Sequence, residues 1–155
     1  MTAKDLLLYG CEVATQRQQG SATVSVVRLI EGMMLETANL GDAGFAVFRP
    51  EGDNLSLVFK STPKQIMFNM PYQCGTGPTE QDPDEVDVSV IEIEDSDVVI
   101  VYSDGFDDNV YADGIPDCIE QYMEDGIVTS LSSAADCLAR EAHILGKDMT
   151  YFSPF

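Results

Sequence analysis

Val98-Val99-Ile100-Val101-Tyr102 runs without a charge into Ser103-Asp104-Gly105-Phe106-Asp107-Asp108-Asn109. Five consecutive β-branched and aromatic residues are far too few to cross a membrane. They read as a strand buried on both faces. Asp104 then falls where that strand ends, and Gly105 lets the backbone turn sharply. A carboxylate at the end of a rigid strand is held in place before any ligand arrives, which suits a hard cation. The same residues also read as an Asp-Gly turn, followed by acids that favour the start of a helix. Both readings stay open on this segment alone, and Asp107 is the acid that best fits a simple cap.

The chain has 155 residues, 45% of them apolar, which suits one domain with a real core. Its formal charge of -19 comes from 27 acidic and 8 basic residues. Nucleic acid and anionic membrane surfaces need Lys and Arg density, so this balance argues against both as partners. Between Lys64 and Arg140 there is no basic residue at all. Most of the acids there read as a solvated surface, leaving cation binding to a few. Cys11, Cys74, Cys118 and Cys137 form no Cys-x-x-Cys, and His143 is the one histidine. A zinc site is therefore not expected. No signal peptide or membrane span is visible, so the cysteines are expected to be reduced core thiols in an intracellular protein. Cytoplasm and organelle are not separated by these features.

Pattern along the chain predicts a short amphipathic helix over 3–16 and strands over 21–30, 33–40, 45–49 and 55–60, arranged as an antiparallel meander. Four prolines and two glycines make 61–85 a long irregular segment. Alternation returns over 86–93, and the buried strand follows at 98–102. Helical spacing takes over after Asp104. Ser130 or Ser132 caps a last helix running to about Leu145, and Gly146 stops it. Strands in a block with helices before and after it indicate an α+β fold rather than alternating βαβ units.

Other motifs have plain structural readings. Gly41-Asp42-Ala43-Gly44 fits a hairpin turn. Asn109, Tyr111, Asp113, Gly114 and Glu120 fall into an EF-hand frame, but Tyr111 is a poor ligand and a strand, not a helix, precedes it. Gly75-Thr76-Gly77 lacks the further glycine and the Lys-Ser/Thr of a phosphate loop. His143, in a helical pattern with no nucleophile motif nearby, reads as structural.

Several segments in order resemble the metal-dependent Ser/Thr protein phosphatases of type 2C. Ala38-Asn39-Leu40-Gly41-Asp42-Ala43-Gly44-Phe45 is similar to the family's Asn-x-Gly-Asp-Ser hairpin, with Ala43 in place of Ser. Ser103-Asp104-Gly105-Phe106-Asp107-Asp108-Asn109 is similar to its Asp-Gly-x-x-Asp motif, and Gly20-Ser21-Ala22-Thr23 to the start of the strand before the hairpin. Phe68-Asn69-Met70-Pro71-Tyr72-Gln73, with Gln65 before it, and Tyr151-Phe152-Ser153-Pro154-Phe155 resemble an organellar branch, which keeps mitochondrion and plastid beside cytoplasm.

The resemblance implies part of an αββα sandwich, two antiparallel sheets flanked by helices. It also implies a two-metal Mg or Mn centre whose shared water attacks phosphorus in a phosphoserine or phosphothreonine protein. Asp104 and Asp42 match metal ligands, and Asp108 matches an acid that supports them. The upstream Asp-Gly-x-Gly-Gly and the late Asp-Asp/Asn motif have no counterpart in residues 1–155. The chain thus reads as a single incomplete phosphatase-like domain, inactive by itself. The alternative is a non-catalytic phosphatase-like binding or regulatory module.

Overall fold

The structure, a computed structural model, describes residues 1–17, 19–76 and 85–155. Gly77, Pro78 and Pro83, part of the expected irregular segment, lie outside the described residues. The chain divides into two compact units, Met1–Phe45 with Ser61–Ile93, and Ala46–Lys60 with Glu94–Phe155.

The first unit opens with α1 (Ala3–Arg17). Its start is fixed by a reciprocal cap. The Thr2 N–H donates to the Asp5 carboxylate at 2.7 Å, and the Asp5 N–H donates to the Thr2 hydroxyl at 3.1 Å. Together they satisfy two donors that a helix end leaves orphaned. β1 (Ser21–Ala22), β2 (Val24–Ile30) and β3 (Met34–Leu40) follow. β2 and β3 pair antiparallel from Val24↔Leu40 to Ile30↔Met34. Met33, expected to open β3, sits in the turn with φ +56°.

β4 (Gly44–Glu51) and β5 (Asn54–Lys60) belong mostly to the second unit. The chain then returns through β6 (Gln65–Met67), β7 (Met70–Pro71), β8 (Cys74–Gly75) and β9 (Asp87–Glu92). The sheet of this unit runs β2-β3-β9, so the second neighbour of β3 is β9 and not β4. The meander expected from the strand block is thus broken at Gly41–Gly44, where the chain leaves one sheet for another. On α1, Ala3 and Leu7 are one turn apart and share a face. They are buried with Ala38 and Leu40, alternate residues of β3, and with Cys74 and Val86.

In the second unit the sheet runs β10-β4-β5, with β10 at Val98–Tyr102 as expected. α2 (Asp104–Asp107), a 3-10 turn at Ala112–Gly114 and α3 (Ile115–Glu120) come next. The small hairpin of β11 (Met123–Glu124) and β12 (Ile127–Val128) leads into α4 (Leu131–Leu145). Ala134, Leu138 and Ala142 recur every four residues and put one stripe of α4 in the core. They meet Ala46 and Phe48 of β4, Val98 of β10, and Ile115 and Ile119 of α3.

Two expectations fail here. β10 is not buried on both faces. Val98 is 9% exposed but Val101 is 56% exposed, because only the Val98-Ile100-Tyr102 face of β10 meets the core. The cysteines are not reduced thiols. Cys11 is bonded to Cys74, and Cys118 to Cys137. In each pair the Cα atoms lie 5.6 Å apart, within disulfide reach, although 63 and 19 residues separate the partners. Helices beside antiparallel sheets nevertheless make the α+β class correct.

Candidate functional site

The Asp104 turn is built by the strand before it and clamped from three sides. Ser103 is still extended at φ -92° and ψ 171°, and its carbonyl accepts the Phe106 N–H at 3.0 Å. Asp104 is therefore the first helical residue after β10. Its Oδ1 accepts the Gly105 N–H at 2.6 Å, and its carbonyl accepts the Asp108 N–H at 2.8 Å. Asp104 is exposed, whereas Asp108 is half-buried.

One clamp is Lys60 of β5, whose Nζ pairs with the Asp107 carboxylate at 2.7 Å and lies 5.9 Å from the Tyr102 ring centre. A second is Phe106, whose ring sits 5.4 Å from that of Tyr102. The third is Asn109, whose amide donates to the Gly105 carbonyl at 3.0 Å. Gly146 leaves room for this amide. A Cβ there would lie 3.0 Å from the Asn109 Oδ1. Gly146 does follow the last residue of α4, but with φ -65°. It is thus needed for close approach and not for a left-handed stop.

Asp107 is an ion-pair partner on the sheet side, not a helix cap. Its side chain is 11% exposed, and Lys60 balances its charge. Nothing in local spacing signals Lys60, 47 residues upstream. The EF-hand frame dissolves for a similar reason. The Glu120 carboxylate accepts the Leu55 N–H at 2.7 Å, tying α3 to β5. His143 lies on the exposed side of α4.

Asp42 lies in the first unit, in the loop after β3. Gly41 takes φ +88°, and a Cβ on it would lie 2.1 Å from the Tyr72 carbonyl oxygen and 2.5 Å from the Thr23 methyl. Only glycine fits. Buried Asn39 organises the loop. It accepts the Ser25 hydroxyl at 2.9 Å and donates to the Ala43 carbonyl at 3.2 Å. The Gly41 carbonyl accepts the Lys64 N–H at 2.9 Å. Asp42 itself is half-buried, with its Oδ1 shielded from solvent. Lys64 also pairs with Glu85 and Asp87, each at 3.1 Å. Burial lowers the pKa of Lys64, but the hydrogen bonds to these two carboxylates outweigh it and raise the net value.

No protein-family model matches the chain. Among curated proteins, "Probable protein phosphatase 2C BIPP2C1" of Oryza sativa subsp. japonica is 34% identical over 140 residues, which is 90% of this chain and 23% of that protein. "Protein phosphatase PTC7 homolog" of Danio rerio is 32% identical over 144 residues, 88% of this chain and 47% of that protein. Among solved structures, that of the photosystem II phosphatase PBCP superposes with a TM-score of 0.86 at 28% identity, covering 98% of this chain and 55% of that one. The chain belongs to the type 2C protein phosphatase family.

A serine-threonine phosphatase 2C from Toxoplasma gondii, 16% identical over 91% of this chain and 59% of its own, shares the fold with a TM-score of 0.57. The chain spans 23% and 47% of the length of these two curated type 2C phosphatases. Type 2C phosphatases depend on metal ions, and carboxylate oxygen is the donor that hard divalent cations take. Among the described residues, however, no group of three or more His, Cys, Asp and Glu side chains could hold a metal ion. The donors present do not make a type 2C metal centre by themselves. Among the described residues, no helix is long and apolar enough to cross a membrane.

Proposed function

We propose that this chain is one incomplete part of a phosphoprotein phosphatase domain that hydrolyses phosphoserine and phosphothreonine. The observation that carries the reading is Asp104. It stands exposed at the end of β10, on a turn locked by Lys60, Phe106 and Asn109, within a chain that matches type 2C phosphatases over about nine-tenths of its length. In this reading Asp104 and Asp42 are metal carboxylates, and Asp108 steadies Asp104 from the next turn of chain. Mg or Mn is the proposed metal, since both prefer oxygen donors. Further donors must come from outside this set. The location stays within the cell, in cytoplasm, mitochondrion or plastid.

A second reading is favoured by the absence, among the described residues, of a group of three or more His, Cys, Asp and Glu side chains that could hold a metal ion: a phosphatase-like module that binds without catalysis. The two separate in one experiment. Phosphate release from a phosphothreonine peptide is followed with Mn. One sample is the 155-residue chain, and the other is the chain joined to type 2C flanks carrying Asp-Gly-x-Gly-Gly and Asp-Asp/Asn. The chain alone should show no turnover above background. The joined protein should turn over, and Asp104→Ala should return it to background. A folded joined protein without turnover sinks the hydrolase reading, and turnover indifferent to Asp104→Ala sinks the role of Asp104.

A further inference from the structure

The segment that touches the Asp42 loop is held by a covalent staple. β1 and β8 form a ladder of only two pairs, Ser21↔Gly75 and Ala22↔Cys74. Two more hydrogen bonds extend it, from the Thr76 N–H to the Gly20 carbonyl at 3.1 Å and from the Gly20 N–H to the Thr76 hydroxyl at 3.3 Å. So short a ladder is marginal by itself. The Cys11–Cys74 disulfide fastens it to α1.

Both strands of this stapled ladder lead to Gly41 from the same end. Tyr72, two residues before Cys74, puts its carbonyl where a Cβ on Gly41 would be. Thr23, the residue after Ala22, puts its methyl on the other side. The Tyr72 N–H also donates to the Lys64 carbonyl at 3.2 Å, while the Lys64 N–H donates to that of Gly41. Gly41 is wedged between residues that flank the two strands, of which the staple ties β8 to α1, and Asp42 is the next residue.

The partners differ in access. Cys74 is 9% exposed, whereas Cys11 is half-exposed on the surface of α1. Attack by a thiolate from solvent is favoured at Cys11, the more exposed residue of the pair.

We propose that Cys11 and Cys74 are a reversible oxidation site whose state sets the order of the Asp42 loop. Its chemistry is thiol–disulfide exchange with a dithiol. The dithiol's first thiolate attacks the Cys11 sulfur, forming a mixed disulfide and expelling the Cys74 thiolate, which takes up a proton. The second thiol attacks the mixed disulfide and releases Cys11 as a thiol. Two electrons and two protons pass to the protein, and the dithiol leaves as its cyclic disulfide. The reverse exchange restores the bond. Once the bond opens, residues 72–76 lose their covalent tie to α1 and are held by the short ladder, the Tyr72–Lys64 hydrogen bond, packing of Cys74 in the core and the contacts at Gly41, and the loop loosens.

The catalytic consequence rests on the reading of Asp42 as a metal ligand, but the site itself does not. Its test therefore uses no phosphatase assay. The folded 155-residue chain is equilibrated with mixtures of reduced and oxidised dithiothreitol, thiols are counted by alkylation and mass, and amide exchange is measured peptide by peptide. Native protein should gain thiols at Cys11 and Cys74. Exchange over 39–44 and 72–76 should then rise by about tenfold or more, and return on reoxidation. Cys118→Ser/Cys137→Ser, which removes the other disulfide, should leave that response intact. Cys11→Ser should show the faster exchange without reductant. If that variant does not fold, the titration of the unaltered chain still decides. Resistance of Cys11–Cys74 to reduction until global unfolding overturns the proposal, as does reduction that leaves exchange over 39–44 unchanged.

Discussion

At the scale of single residues, the side chains that matter are held by partners distant in sequence. Gly41 shows how much a missing Cβ decides. Gly32 and Gly41 both have positive φ, +79° and +88°, but Gly32 faces open space while Gly41 is pressed between Tyr72 and Thr23. Gly32→Ala should therefore cost roughly 1 kcal/mol, a backbone conformation alone. Gly41→Ala adds a steric clash with backbone and should cost about 3 kcal/mol or more. Urea midpoints of the two variants check the difference; equal losses would mean that the loop yields to a methyl group. Of the candidate acids, the position of Asp104 at the end of β10 was legible from the sequence because a strand-ending Asp-Gly is a local pattern. The role of Asp107 was not, since its partner Lys60 comes from another strand.

At the scale of elements, the strand and helix bounds follow local pattern closely, and the pairing of strands does not. α1, β10 and α4 lie where sequence pattern puts them, although Ser130 makes no side-chain cap at the start of α4. β4 departs from the meander because backbone hydrogen bonds are satisfied equally well by any strand of compatible register. Choosing among strands takes the rest of the chain.

The turn before β10 carries a testable electrostatic lock. Arg49 of β4 donates twice to the Asp97 carboxylate, at 2.9 and 2.8 Å, and once to Glu94 at 2.6 Å. The Asp97 side chain is fully covered, and the hydrogen bonds from Arg49 hold its pKa below the usual 3.8. A carboxyl depressed on folding stabilises the fold above its unfolded pKa and loses that contribution as pH falls through the folded value. Melting temperatures of the parent and Asp97→Asn should thus differ most above about pH 4 and converge below it. A gap that persists at low pH would assign the effect to packing.

At the scale of the whole molecule, β10 is an edge. Its free edge and α4 wall an apolar groove of about 840 Å³, lined by residues that include Val99, Ile100, Leu131 and Leu138. Strand edges of this kind are templates for association. A charge of -19 per chain opposes it, and salt screens that repulsion. Self-association should therefore rise with ionic strength, and Val101→Lys should suppress it. Sedimentation that stays monomeric from low to high salt would refute this.

What the sequence determined by itself was local: where strands and helices lie, an acidic surface, the α+β class, and the Asp-Gly turn that the type 2C phosphatases share. Such features depend on neighbours within a few residues, and a linear reading contains them. Only the tertiary structure decided that Cys11 meets Cys74 and Cys118 meets Cys137, that Lys60 neutralises Asp107, and that β10 closes one side of its sheet. Those outcomes depend on contacts between residues as many as 63 positions apart, and such contacts exist only once the chain has folded.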